Sequence, residues 1–121
     1  MNAERQGSMD HTVSAVIAEW AAGLEPAMLP EAARQAVVHT VVDTVALSVA
    51  AVGTDYGQAL LAAARTPGDC TVFGSAAGLA PCDAALINGT TGHGEDFDNT
   101  YEGCPVHSGV VIVPALFAAG E

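Results

Sequence analysis

The chain of 121 residues contains no lysine and only three arginines, against 14 acidic residues. Its formal net charge of −11 disfavours nucleic acid as a partner, because affinity for nucleic acid depends on cationic contacts with phosphate. The same shortage of positive charge disfavours adhesion to an anionic membrane surface. We therefore expect neither a nucleic-acid partner nor a membrane partner.

Aromatic residues and cysteines are also scarce. Aromatic residues make up 5% of the chain, and its 50% hydrophobic content comes mainly from smaller side chains, which favour packed helices over a β-sandwich. Three cysteines form no paired motif, and this odd number fits a reducing cytoplasm. The first residues lack the apolar segment of a signal peptide, and His39 and Asp43 interrupt the longest apolar tract, so we expect no membrane span.

Hydrophobic periodicity predicts an all-α, bundle-like fold. Residues 1–8 are expected to form a flexible tail and residues 9–121 a partial helical domain, because the last apolar run reaches Glu121 without a stop signal. One short extended segment is expected near residues 70–74. The predicted helices run to Ala22 from a cap at Ser8 or Asp10, from Pro30 to Gly53, over residues 55–65, from Pro81 to about His93, and from Pro105 onward.

The second of these helices has two different faces. Valines recur at intervals of three and four residues along one of them, which outweighs their preference for strands. The other face carries side chains small enough for a neighbouring helix to lie close: Ala36, Thr40, Thr44 and Ser48. His39 is expected to be structural, with hydrogen bonds inside a buried polar stripe.

The segment GHGEDFDNTYEGCPVH, residues 92–107, is the strongest site candidate. It contains two histidines and four carboxylates between two apolar segments. Asp96 is expected just after one helix and His107 in the first turn of the next, where free N–H groups favour an anion. These two residues are our acid–base candidates, and Thr100 is the candidate for hydrogen bonding to a substrate.

Simpler interpretations compete with this one. His93 and Asp96 fit a capping pair at a helix end, and Asp98 and Glu102 are expected in solvent, as most acids are. Cys104 lies only three residues before His107, which is unusually local for a catalytic cysteine–histidine pair.

A zinc site is another alternative. Suitable ligands are present, but their spacing matches no standard zinc signature. They are His93, Asp96, Cys104 and His107.

The segment AALINGTTGHGEDFDNTYEGCPVH, followed by VVIVPALFAAGE, resembles the signature of the MmgE/PrpD family. The resemblance extends to the upstream LPEAARQAVVHTVVDTVALSVAA helix and the TVFGS segment. The family includes 2-methylcitrate dehydratase, which serves propionate catabolism, cis-aconitate decarboxylase and an iminodisuccinate epimerase. The resemblance implies a helical domain, usually in a homodimer, that acts without a cofactor or metal on small polycarboxylates.

The resemblance also implies which residues line the pocket. The first aspartate and the threonine of the family's DFDDT-like element, and a histidine shortly after it, match Asp96, Thr100 and His107. Asn99 replaces the usual second aspartate of that element, and Ser108 stands where proline commonly follows the histidine.

The family's cationic pocket residues come from later sequence, whereas this chain has no lysine. A bound carboxylate about 4 Å from an acidic side chain is repelled by roughly 4 kcal/mol at an effective dielectric constant of about 20. We therefore expect the chain to be the N-terminal part of a lyase and inactive alone. A non-catalytic remnant, a subunit that needs a separate partner chain, and a small metal-binding protein remain as alternatives.

Overall fold

A computed structural model describes residues 12–121. The chain divides into two compact units, one that ends at Arg34 and one that begins at Gln35. The fold is mainly helical with a small antiparallel sheet, which confirms the predicted class. The elements are α1 (Val13–Ala22), a 3-10 turn (Pro26–Met28), α2 (Glu31–Ala51), α3 (Asp55–Ala63), β1 (Pro67–Thr71), β2 (Gly78–Leu79), α4 (Pro81–His93) and α5 (Gly109–Gly120).

Thr12 begins α1, since its Oγ1 accepts a hydrogen bond from the Ala15 N–H at 3.2 Å. The predicted caps, Ser8 and Asp10, and the predicted tail of residues 1–8 lie outside the described residues. No residue of α1 is buried, so its apolar side chains remain exposed.

α2 is a helix of 21 residues, as the period predicts, and its buried face is the one with small side chains. Thr44 and Ser48 are fully buried, whereas Val38 and Val42 are about 60% exposed. Ser48 Oγ donates to the backbone oxygen of Asn88 in α4 at 2.8 Å. The small face thus lets α2 approach α4 closely.

His39 is exposed, so the prediction of a buried, hydrogen-bonded histidine is wrong. The helical spacing from Thr44 and Ser48 turns position 39 away from α4. Its imidazole consequently lies outside the polar stripe that we expected to hold it.

The extended segment begins earlier than predicted, at Pro67, and pairs antiparallel with Gly78–Leu79. Residues beyond Thr71 instead contact a side chain. Asn88 Oδ1 accepts from the Phe73 N–H at 2.8 Å, and Asn88 Nδ2 donates to Thr71 O at 2.9 Å. This buried amide fixes the chain after β1 against α4.

The core lies between the sheet and the helices α3, α4 and α5. Ile87 and Val72 are almost completely buried there, and the rings of Phe73 and Phe117 meet edge to face with centroids 5.2 Å apart. The remaining buried members of the cluster are Cys70, Ala84 and Ala118.

In residues 12–121, no single helix has both the length and the apolar character needed to cross a bilayer. Within the described residues, α2 and α3 taken together are the one pair that meets those two criteria, and they are bent by 90°.

Gly89 is a point of close approach between α4 and α5. A Cβ at this position would lie 2.9 Å from the Val110 backbone oxygen, a distance that real Cβ atoms essentially never show. Because the obstacle is backbone, the two helices can accommodate a side chain only by moving apart.

We expect Gly89→Ala to lower the free energy of unfolding by about 1–2 kcal/mol, because overpacking outweighs the usual gain of about 0.5–1 kcal/mol from replacing a helical glycine. Denaturant unfolding measures the change. Gly120→Ala in α5 is the matched control, since a Cβ there meets nothing within 4 Å. A Gly89→Ala chain as stable as the parent would contradict this account of helix packing.

Candidate active site

The candidate site forms where the chain leaves α4. His93 is the last residue of α4, and its backbone oxygen accepts from the Asp96 N–H at 2.8 Å. Asp96 has φ 56°, a left-handed conformation that aspartate tolerates better than most residues. This turn reverses the chain and carries the next residues back toward α4.

Asp98 is the buried centre of the site. Its side chain has no exposed surface, and its two oxygens lie 2.9 Å from His93 Nδ1 and 3.0 Å from His107 Nδ1. The two imidazole rings meet edge to face with centroids 4.7 Å apart. One carboxylate therefore links the end of α4 to the segment that precedes α5.

The expectation that Asp98 lies in solvent was wrong, whereas the backbone hydrogen bond from Asp96 to His93 fits the simpler interpretation of a pair at a helix end. Asp98 is not solvated, because two imidazoles supply the hydrogen bonds that offset its loss of hydration. His93 pairs through its side chain with Asp98, five residues later, rather than with Asp96. Two histidines on either side of an aspartate were the available signal, but separations of five and nine residues across a loop follow no periodic pattern.

The three predicted site residues do lie together, around His107. Asp96 Oδ1 is 4.0 Å from His107 Nε2, and Thr100 Oγ1 is 3.4 Å from His107 Nδ1. The Asp96 side chain is 82% exposed, whereas that of His107 is 21% exposed. One edge of the His107 ring thus faces a buried carboxylate, and the other faces a carboxylate open to solvent.

His107 does not lie in a helical turn, because α5 begins at Gly109 rather than at Pro105. The intervening residues form a loop in which Gly103 has φ 87° and the Tyr101 N–H donates to Val106 O at 3.0 Å. This loop takes Pro105 out of the helix.

Asn99, which differs from the usual residue of the resembled element, binds the start of α5. Its Oδ1 accepts from the Gly109 N–H at 3.2 Å. It therefore satisfies one of the free N–H groups that were expected to favour an anion beside His107.

The proposed zinc ligands also differ from those the structure groups. Cys104 is exposed and lies outside the cluster, whereas Asp98 lies inside it. The atoms that offer one ligand each, from His93, Asp96, Asp98 and His107, lie within 4.8 Å of one another. The two buried Asp98 oxygens already contact the two imidazoles, so fewer ligand atoms are left to bind an ion.

α3 holds the turn after α4 in place. Tyr56 donates from its hydroxyl to Glu95 Oε1 at 3.0 Å, and a Cβ on the intervening Gly94 would collide with the Tyr56 ring. Burial raises the pKa of the Tyr56 phenol, a hydrogen bond with Thr54 lowers it, and the hydrogen bond and negative charge of Glu95 raise it.

A helical domain in which a loop gathers two imidazoles and two carboxylates has the groups for acid–base catalysis. Its sequence matches the MmgE/PrpD N-terminal domain over residues 15–121. The chain belongs to the MmgE/PrpD family, which confirms the resemblance.

Two relatives illustrate the relationship. The cis-aconitate decarboxylase-like protein oryM of Aspergillus oryzae is 29% identical over 112 residues, which cover 90% of this chain and 23% of the relative. A cis-aconitate decarboxylase of Aspergillus terreus is 27% identical over 112 residues, with the same coverage of both chains. The chain thus spans less than a quarter of the length of these curated relatives. No solved structure matches it.

We expect Glu95→Gln to lower the pKa of Tyr56, because it removes a negative charge beside the phenol. Since the pKa of Tyr56 is raised in the folded chain, its contribution to stability is present below about pH 10 and is lost as the pH rises through the folded value.

Alkaline titration of tyrosinate absorbance in a Tyr101→Phe background measures this pKa, because Tyr56 and Tyr101 are the only tyrosines. Glu102→Gln is the control, because Glu102 is an exposed acid in the loop after α4, whereas the acid that accepts from Tyr56 is Glu95. Equal titration curves for Glu95→Gln and the parent would disprove the coupling.

Proposed function

We propose that this chain supplies part of the active site of an MmgE/PrpD-type enzyme that removes a proton next to a carboxylate of a small polycarboxylate. Loss of water, loss of carbon dioxide or reprotonation then completes the reaction, and a hydro-lyase like 2-methylcitrate dehydratase is our first choice. The observation that carries the proposal is the placement of Asp96 Oδ1 and His107 Nε2, which lie 4.0 Å apart at the edge of the site.

Asp96 and His107 are the proposed acid–base groups. The gap of 4.0 Å between them is longer than a hydrogen bond, so neither atom is engaged by the other. Thr100 is the proposed substrate-orienting residue, since its hydroxyl lies beside the same ring, 3.4 Å from Nδ1. A positioned acid or base contributes roughly 10²–10⁴ in rate.

The electrostatics favour a site that other parts of the protein complete. Glu95, Asp96 and Asp98 lie within four residues of one another, and the sequence contains no lysine. A polycarboxylate bound here therefore needs cationic groups, and we propose that protein outside this chain supplies them. We propose that the chain is inactive alone and acts in the cytoplasm as part of a larger protein that forms a homodimer.

Exposed apolar surface on α2 and α5 supports the same proposal. Ile112 and Leu116 are 53% and 65% exposed, and with Val37 and Val41 they line a groove of about 320 Å³. Contiguous apolar surface of this kind typically packs against further protein. The relatives, which are about four times longer, contain sequence that has no counterpart in this chain.

Substitution of the two acid–base candidates tests the proposed reaction in an active form of the enzyme that contains this chain. We expect Asp96→Asn and His107→Gln each to lower kcat at least about 100-fold with cis-aconitate or 2-methylcitrate as substrate. Asparagine is the appropriate replacement at position 96, because it also tolerates the left-handed backbone. The 121-residue chain by itself is expected to give no turnover.

Glu102→Gln is the matched control, because Glu102 is an exposed acid in the same loop and makes no contact with His107 among the described residues. It should retain turnover to within about threefold, far less than the loss of an acid–base group. If Asp96→Asn and His107→Gln also remain within about threefold, their assignment as acid–base residues is wrong.

Metal binding remains the alternative favoured by a specific observation, the proximity of four ligand-bearing side chains. Zinc in a tetrahedral site lies about 2.0–2.1 Å from each ligand atom. The four ligand atoms here are up to 4.8 Å from one another, so they would have to move closer together to bind one ion. Elemental analysis of the purified chain after dialysis decides between the two. We expect less than about 0.1 zinc per chain, whereas one zinc per chain that Asp98→Asn abolishes would favour metal binding.

A further inference from the structure

We propose that Asp98 is a positioning residue that holds both His93 and His107 with the hydrogen on Nδ1, so that Nε2 of each ring is left free to accept a proton. The catalytic consequence rests on the proposed function, whereas the tautomers themselves can be measured without any activity. Asp98 does not touch the substrate in this account; it acts through the two histidines.

The Asp98 side chain is completely buried. An ionised carboxylate whose side chain has no exposed surface loses its hydration and must be compensated by hydrogen bonds. The two imidazoles supply one each, at 2.9 and 3.0 Å, and each contacts a different carboxylate oxygen. Both oxygens are therefore engaged.

The direction of these hydrogen bonds determines which ring nitrogen carries the hydrogen. An ionised carboxylate can only accept, so the Nδ1 atom of each ring must donate. A neutral imidazole that carries its hydrogen on Nδ1 has its lone pair on Nε2. Asp98 thus selects the same tautomer in both rings, although either tautomer is available to a histidine without such a partner.

The surroundings of each ring determine whether a ligand can reach it. Nε2 of His107 faces the exposed carboxylate of Asp96, and half of the His93 side-chain surface is exposed. His93 also lines an open hollow with Gly89 and Val110. Each ring therefore has one edge against the buried carboxylate and another part open to a ligand.

The chemical consequence concerns proton removal from carbon. The proton would pass from the substrate carbon to Nε2 of His107, and the electron pair would remain on the carbon next to the carboxylate. The positive charge that His107 then carries lies beside the Asp98 carboxylate, which stabilises it. Where a buried aspartate orients a catalytic histidine in this way, replacement by asparagine lowers kcat by about 10⁴ in a known hydrolase.

Nitrogen NMR of the 121-residue chain, labelled with ¹⁵N-histidine, measures the tautomers at a pH of about 8, where ordinary imidazoles are neutral. We expect the rings of His93 and His107 each to show a protonated Nδ1 and an unprotonated Nε2. Spectra of His93→Gln and His107→Gln assign the signals, and the exposed His39 serves as an internal reference. Solid-state spectra give the same information if the chain self-associates.

Asp98→Asn provides the sharpest variant, because the asparagine amide presents one acceptor and one donor to the two rings. One imidazole should keep its hydrogen on Nδ1, and the other should move it to Nε2. Glu102→Gln is the control and should leave both tautomers as in the parent. If Asp98→Asn does not fold, the spectrum of the parent chain decides by itself.

The outcomes separate this inference from the proposed function. A hydrogen on Nε2 of either ring in the parent chain, or two unchanged tautomers in a folded Asp98→Asn chain, overturns the inference whatever the activity. In an active form of the enzyme, Asp98→Asn should lower kcat at least about 100-fold and change KM by less than about threefold. If the tautomers are as expected but Asp96→Asn and His107→Gln retain activity, the positioning stands and the proposed function fails.

Discussion

The rest of the site depends on the hydrogen bonds between the Asp98 carboxylate and the two imidazoles. Asp98 connects three stretches that are separate along the chain: the end of α4, the loop after it and the residues before α5. Because its side chain has no exposed surface, losing either imidazole would leave a buried charge with half of its hydrogen bonds. The loop conformation and the positions of both histidines are therefore set together.

The helices around this carboxylate pack closely against one another. Gly89 lets α5 approach α4, and a Cβ at Gly92 would meet both Ser48 Oγ at 3.0 Å and a Val110 methyl group at 3.1 Å. Small residues on α2 and α4 thus place the last turn of α4 near the start of α5. His93 ends α4, and His107 lies two residues before α5. The packing of these two helices therefore determines how far apart the two rings can be.

Much of the helical framework follows from the sequence, and the least local features do not. The end of α4 at His93 and the length of α2 could be read from periodicity and from proline and glycine positions. The start of α5 could not, because Gly103 adopts a left-handed turn that keeps Pro105 in the loop. Proline is favoured in a first helical turn, but that preference is weaker than the geometry of the loop that must return to Asp98.

The same reasoning explains why the sequence made Asp96 a site candidate and placed Asp98 in solvent. Nothing local distinguishes two aspartates that are separated by a single residue. Their burial differs because the donors for Asp98 come from residues five positions before it and nine positions after it, which only the folded chain brings together. The family resemblance compensated in part, since it selected Asp96, Thr100 and His107, and these side chains do lie around one ring.

Charge finally constrains what can occupy the site. The buried Asp98 carboxylate, the exposed Asp96 carboxylate and nearby Glu95 are all acidic, and no lysine is present to offset them. The proposed function therefore requires cationic side chains that face His107 and offset this negative charge. The groove between α2 and α5, which is lined by exposed apolar residues, offers a surface against which the protein that supplies them can pack. Under the proposed function, the chain would contribute the proton-transfer groups, and other protein would contribute the affinity for the anion.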